Sequence, residues 1–312
     1  MILACVWSEP MTTTANAVAA MADDIIDLTP KERMIRKAKS HFGFKFGAFI
    51  VISFSLIAIF APLFAPHDPY LQDLAKRLVP PVWQESGSWE HILGTDALGR
   101  DYLSRLIYGA RISMGVGFGA ATLGCLIGVT IGLSAGYLGG RVDQAASFLL
   151  TCQLALPSLL LAMALVFFVG SSVTTLLIVL GVLHWQYYMV VTRTLTRQIR
   201  SLEYVAAARS IGSTDRQILF YEILPNLFNQ IIVVFSLEMA VVIIHEASLS
   251  FLGVGVQPPT ASWGLMIAEG KTMMYFKPYL VVIPGAALFL LVLAVNLLGD
   301  GIRDITAPES RN

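Results

Sequence analysis

The sequence predicts an all-α membrane protein with six transmembrane helices, and three observations lead there. The 312-residue chain is 56% hydrophobic, only 13% charged, and has a mean hydropathy of +0.70, far more apolar than an average soluble domain. Charge-free runs recur along it, and roughly 20 apolar residues cross the hydrocarbon core of a bilayer. Polar segments between the runs hold the lysines and arginines, as expected where a charge at mid-bilayer is costly.

A formal net charge of zero provides no basic field for nucleic acid. Cys5, Cys125 and Cys152 have no metal-ligand spacing and read as small apolar residues, not a disulfide framework.

Taken in order, residues 1–41 are expected to be a tail. Met1 to Ala20 lacks the basic start and long apolar centre of a signal peptide. Lys31 to Lys39 (KERMIRKAK) is basic and interrupted by apolar residues, which suits a helix on an anionic lipid surface. Residues 42–111 hold the first span, Phe46 to Phe64, and a polar segment, Ala65 to Arg111, too long for a tight turn. Residues 112–300 form a core of five further spans. Ile112 to Gly140 is the second. Gln144 to Thr192 is long enough for the third and fourth, with Gly170-Ser171-Ser172 as the turn. The fifth is Leu227 to Leu252 and the sixth Pro278 to Gly299, leaving 301–312 as a second tail.

The second span carries a glycine every fourth residue from Gly124 through Gly128, Gly132 and Gly136 to Gly140, with Gly115 and Gly119 before them. Such a stripe lets another helix approach backbone to backbone, either within this subunit or at a sliding subunit contact. Six spans with the N-terminus inside place fourteen lysines and arginines on the cytoplasmic side and seven outside, the distribution that the positive-inside rule favours. Both termini and Ser201 to Pro225 are then cytoplasmic, while Ala65 to Arg111 and Gly253 to Lys277 are external.

Ser201 to Pro225 (SLEYVAAARSIGSTDRQILFYEILP) is the longest polar break of the chain's second half. Ser201 is an expected N-cap with Glu203 in the first turn, Arg209 falls in the last turn, and Gly212 follows as a left-handed terminator. Thr214 and Gln217 have capping-box spacing for a second helix, which Pro225 is expected to end. Ala206, Ala207 and Ala208 form a low-profile face suited to a groove on another protein.

No catalytic motif competes with this reading. GLMIAEGKT (Gly264 to Thr272) has five residues between its glycines where a phosphate loop needs four. The five histidines show no metal-ligand spacing, so neither a metal nor a cofactor is expected. Ionisable residues within the spans are few. Glu238, His245 and Glu246 in the fifth are candidates for lining a pathway or for packed hydrogen bonds. In the external segments, Asp96, Arg100 and Asp101 have spacings for salt bridges or for holding the loop against the membrane surface, a structural role in preference to direct substrate contact. Exposed pairing would be worth at most ~1 kcal/mol. Gln257, Pro258, Pro259 and Trp263 suggest a stiff aromatic loop, either a docking surface for a binding protein or an outer scaffold.

Three stretches together resemble the C-type permease subunit of the dipeptide, oligopeptide and nickel group of ABC importers: LGTDALGRDYLSRLIYGAR (93–111), the 201–225 stretch, and EASLSFLGVGVQPPTASWG (246–264). The resemblance runs from about Phe42 to Pro308 and includes DGIRDITAP after the last span. It implies the type I importer fold, pairing with a second permease in a heterodimer, two cytoplasmic ATPase subunits, an external substrate-binding protein, and no catalysis by this chain. Its coupling motif, EAA with a glycine four positions after the last alanine and a later I-x-L-P, falls on Ala206, Ala207, Ala208, Gly212, Leu224 and Pro225. Ala206 replaces the motif glutamate and Glu222 its isoleucine, so docking by shape is implied, with Glu203 and Arg209 as charged contacts. Dipeptides, longer peptides, glutathione, opines and nickel chelates all fit the resemblance as cargo. The alternative is a secondary transporter or channel not coupled to ATP, which should show a second internal half or a relay of membrane carboxylates.

Overall fold

Apolar segments that must satisfy every backbone N–H and C=O without water fold as helices. The computed structural model describes residues 30–306, and among these there is no strand, only an isolated bridge between Thr95 and Asp101. The expectations for Met1 to Ala20, Cys5 and the last tail residues lie outside the described residues.

The basic segment forms helix α1 (Pro30–Ser40). Helix α2 (Phe42–Ile59) is the first span. Its N-cap His41 accepts the Phe44 N–H at Nδ1, and Nε2 lies 3.1 Å from Asp304 near the end of the last helix. Helix α3 (Tyr102–Leu138) is the second span and the centre of the fold; its 37 residues extend ~55 Å at 1.5 Å per residue. It begins ten residues before the expected Ile112, because Asp101 caps it and Arg105, expected in the polar segment, is neutralised by carboxylates on either side.

The third span is not a straight helix. Helices α4 (Gly140–Leu154) and α5 (Ser158–Val169) are bent by 87° at Ala155 to Pro157. Proline has no N–H and disfavours helical backbone in the residue before it. The turn at 170–172 is where it was expected, with Gly170 at φ 103° and Ser172 capping the next helix. That span consists of α6 (Val173–Leu183) and α7 (Gln186–Arg200), broken only at His184 and Trp185. Among the described residues, five helical segments are thus long and apolar enough to cross a membrane, or six if the bent pair is one span.

The glycine stripe is internal packing. A Cβ on Gly128 would sit 2.2 Å from the Trp185 carbonyl oxygen, and on Gly132 and Gly136 2.7 Å from those of Met189 and Arg193. Gly124 likewise faces the His184 carbonyl at 2.9 Å. Gly115 and Gly140 do not belong to this contact, since nothing lies within 4 Å of a Cβ on either.

After a short helix α8 (Glu203–Ser210), the chain runs without interruption from Asp215 to Phe251, the last part being α9 (Leu224–Phe251). Helix α10 (Trp263–Gly270) precedes α11 (Tyr279–Thr306), the final span. Both α9 and α11 pack against each other, and α2 lies beside α11 and α3.

Candidate functional site

The bend at 201–225 is built from local hydrogen bonds. Ser201 does not cap α8 as expected; its hydroxyl donates to the Gln198 carbonyl and closes α7, and Leu202 takes the N-cap position without a side-chain bond. Helix α8 ends in a Schellman motif: Ser213 N–H donates to Ala208 O and Gly212 N–H to Arg209 O, both at 3.1 Å. Gly212 has φ +90°, while a Cβ there would meet nothing within 4 Å. Glycine is therefore needed for backbone conformation and not for space. The next helix starts at once with the Thr214–Gln217 capping box.

Pro225 does not end that helix. A π-turn at Ile218–Ile223 leads straight into α9, with Leu224 N–H bonded to Leu219 O. The wider turn accommodates a proline that has no N–H to donate, so the bend and the fifth span form one element.

On α8, Val205 is buried with Ile218, Ile223, Leu227 and Tyr137. This anchors one face and leaves Ala206 and Ala207 exposed, with Ala208 half-buried. Arg209 does not project as a free charged contact. Its Nη2 donates to the Tyr137 hydroxyl at 2.9 Å, and its guanidinium lies 5.7 Å from that ring's centre. The Tyr137 hydroxyl in turn donates to Asp215. One tyrosine at the end of α3 thus bridges the two sides of the bend. Glu203 is exposed and has no ion pair among the described residues.

Within the spans, Glu238 and His245 are brought together by a residue outside their own helix. His184, at the α6–α7 break, places Nδ1 2.7 Å from Glu238 Oε2 and Nε2 2.9 Å from His245 Nδ1. Glu238 and His184 are buried and His245 is half-buried. Glu246 points elsewhere. It accepts from Ser113 on α3 at 3.1 Å and from Ser250 at 2.9 Å, and the Ser250 hydroxyl also accepts the Val256 N–H. It holds the 253–262 loop against α3.

At the opposite end of α3, the salt bridges expected of Asp96 and Arg100 are present but belong to a buried network, not to exposed pairs. Arg100 Nε lies 2.6 Å from Asp96, and its Nη2 3.1 Å from Glu269 of α10; fully buried Arg105 bonds the same two carboxylates. Burial pushes the Asp96 carboxyl upward, but the Arg105 and Arg100 charges and two backbone N–H groups outweigh it and hold the group below its ordinary value. Asp101 is buried as the cap of α3. Trp263, expected in a docking or scaffold loop, is fully buried, with Nε1 donating to Leu106 O at 2.9 Å, which fits the scaffold and not a docking surface. Gln257, Pro258 and Pro259 are exposed. GLMIAEGKT is α10 and the turn after it, not a phosphate loop.

Comparison with known proteins decides what kind of molecule carries this architecture. The family model described as binding-protein-dependent transport system inner membrane component matches residues 128–312, and the N-terminal TM domain of oligopeptide transport permease C matches 29–81. The chain belongs to this permease family. It is similar to the dipeptide transport system permease protein DppC of Haemophilus influenzae, 37% identical over 90% of this chain and 95% of that protein. The di/tripeptide permease protein DppC of Pseudomonas aeruginosa is 38% identical over 85% and 88%. The glutathione permease protein GsiD of Pectobacterium atrosepticum is 37% identical over 89% and 90%. The fold is that of the permease in the inward-facing MetNI methionine ABC transporter, with a TM-score of 0.52 at 16% identity over 65% of this chain and 97% of that one.

This permease subunit of an ABC importer is a multi-pass inner-membrane protein that works with ATPase and substrate-binding components, and ATP is hydrolysed by the separate ATPase subunits. The alternative of an uncoupled secondary transporter or channel falls with that assignment. Tyr137, Arg105 and Glu269 are not among the expected site residues. His184 is visible in the sequence as an ionisable residue of the fourth span, but its partners Glu238 and His245 belong to another span.

Proposed function

We propose that the permease carries di- or oligopeptides, or a related small solute, by alternating access, and that α8 is the cytoplasmic coupling helix. In this reading both termini and the 201–225 bend are cytoplasmic, a second permease completes a heterodimer, and two ATPase subunits sit below. Three named relatives transport dipeptides, di/tripeptides or glutathione, which supports a peptide-like cargo. The observation that carries the coupling role is the continuity of the bend with the fifth span: Val205 and Tyr137 hold α8 to a helix unbroken from Asp215 to Phe251. Force on the exposed Ala206–Ala207 face would pass into α9 as motion of one body. Glu203 is the remaining charged contact of that face, and Leu224 and Pro225 join the bend to the span.

His245 is the group of the fifth span that reaches the pathway, held in place by His184 and Glu238 behind it. Glu246 instead serves the loop that presents Gln257, Pro258 and Pro259 to the substrate-binding protein. The direct test is Gly212→Leu. A side chain at φ +90° costs ~1–3 kcal/mol locally and misaligns α8. The variant is expected to insert normally but to lose uptake and co-purification of the ATPases. Normal uptake by an intact complex would refute the role.

A further inference from the structure

The loop between α2 and α3 gathers three metal-ligating side chains that the sequence keeps apart. His67, His91 and Asp101 each offer one ligand atom, and the three atoms lie within 4.8 Å of one another. His91 Nδ1 is 2.9 Å and His67 Nδ1 3.7 Å from the same atom, Asp101 Oδ1. The two imidazoles are tilted, with ring centres 5.0 Å apart. His67 Nδ1, the ring atom facing Asp101, is buried and has no hydrogen-bond partner, an unfavourable condition for a polar atom shielded from water.

We propose that these three residues bind a single borderline divalent cation of the zinc class, which staples the loop to the first turn of α3. Two imidazole nitrogens and one carboxylate suit such an ion, whereas magnesium and calcium favour all-oxygen sites.

The site is already organised around other work. Asp101 uses Oδ2 to cap α3 through the Ser104 N–H at 2.8 Å, which leaves Oδ1 for a ligand. The Ser104 hydroxyl accepts the His67 backbone N–H at 3.0 Å, so His67 is tied to the same helical turn. His91 N–H is bonded to Ser88 O, and its ring is buried. His67 is half-exposed and borders an open cleft lined by Pro62, Ala65, Tyr70 and Tyr108, an entry path from one side. Binding would displace the proton between His91 and Asp101 and draw in His67, whose 3.7 Å separation is too long for a hydrogen bond. Three protein ligands leave a fourth position for water or for a group from another chain.

The experiment uses the full-length chain in lipid nanodiscs, stripped with chelator and titrated with Zn²⁺ by calorimetry at neutral pH. One equivalent is expected to bind and raise the melting temperature, without competition from a hundredfold excess of Mg²⁺. His67→Ala, at a half-exposed loop position, is expected to weaken this binding at least tenfold while folding normally, and His91→Ala to do the same where it folds. Co²⁺ in place of Zn²⁺ should give a visible d–d band that His67→Ala loses. Zn²⁺ binding no tighter than millimolar, binding unchanged in His67→Ala, or equal competition by Mg²⁺ would each overturn the assignment. None of these readouts depends on transport, so the result is independent of the coupling proposal.

Discussion

Gly128→Ala and Gly115→Ala are the same substitution on the same helix with opposite expected effects. A Cβ at Gly128 lies 2.2 Å from the Trp185 carbonyl oxygen, and that of Tyr188 is itself only 2.7 Å away. Ordinary contact begins near 3.4 Å, so α3 and α7 must separate by about 1 Å, the scale of misfit that overpacking studies associate with ~1–3 kcal/mol. Separation at Gly128 also loosens the neighbouring contacts at Gly124, Gly132 and Gly136, because all four lie on one stripe against α6 and α7. At Gly115 nothing lies within 4 Å. Alanine there gains helix propensity, up to ~1 kcal/mol over glycine, with no steric cost. Thermal unfolding of the two purified variants in one detergent, followed by loss of soluble monomer, reads the difference. A lowered midpoint for Gly128→Ala with an unchanged or raised one for Gly115→Ala is expected. Equal midpoints would refute the claim that the stripe is a backbone-to-backbone contact inside this subunit.

Two further outcomes follow from the ends of α3. Asp96 is held below its ordinary value of 3.8 when folded; its charged form stabilises the fold above that pH, and the contribution disappears as pH falls through the lower folded value. Asp96→Asn should therefore be less stable than the parent at neutral pH, with a gap that narrows below about pH 4 in thermal melts; a constant gap would contradict the network. Tyr137→Phe removes the bonds to Arg209 and Asp215, at a cost of about 1 kcal/mol. Hydrogen exchange should accelerate across 203–217 and remain unchanged in α10, and uniform exchange throughout would argue against the tyrosine bridge.

Much of the bend was legible because its determinants are local. Gly212 as terminator and the Thr214–Gln217 box rest on bonds between residues at most five apart, and a short window contains all the chemistry. Leu202 takes the N-cap in place of Ser201 because Ser201 is used to close α7. Pro225 misled because a proline stops a regular helix but fits after a π-turn. The 87° bend at Pro157 lay inside a run read only for its lack of charge.

Residues whose meaning depends on distant partners were read least well. Arg105 looked like a solvated loop charge until Glu269, 164 positions on, neutralised it. Trp263 looked like an exposed aromatic until α3 supplied Leu106 O as its partner. Glu238 and His245 lie seven residues apart and so near one face of a helix, but the histidine linking them belongs to another span.

The central claim is that α8 docks on the ATPase subunits through its alanine face. The most direct measurement places a photo-crosslinkable cysteine derivative at Ala207 in the assembled complex, with a matched probe at exposed Gln257 on the other side of the membrane. Cross-linking from Ala207 to an ATPase subunit, with none from Gln257, is the predicted result. An ATPase adduct from Gln257, or none from Ala207 in a complex that hydrolyses ATP and transports normally, would contradict it.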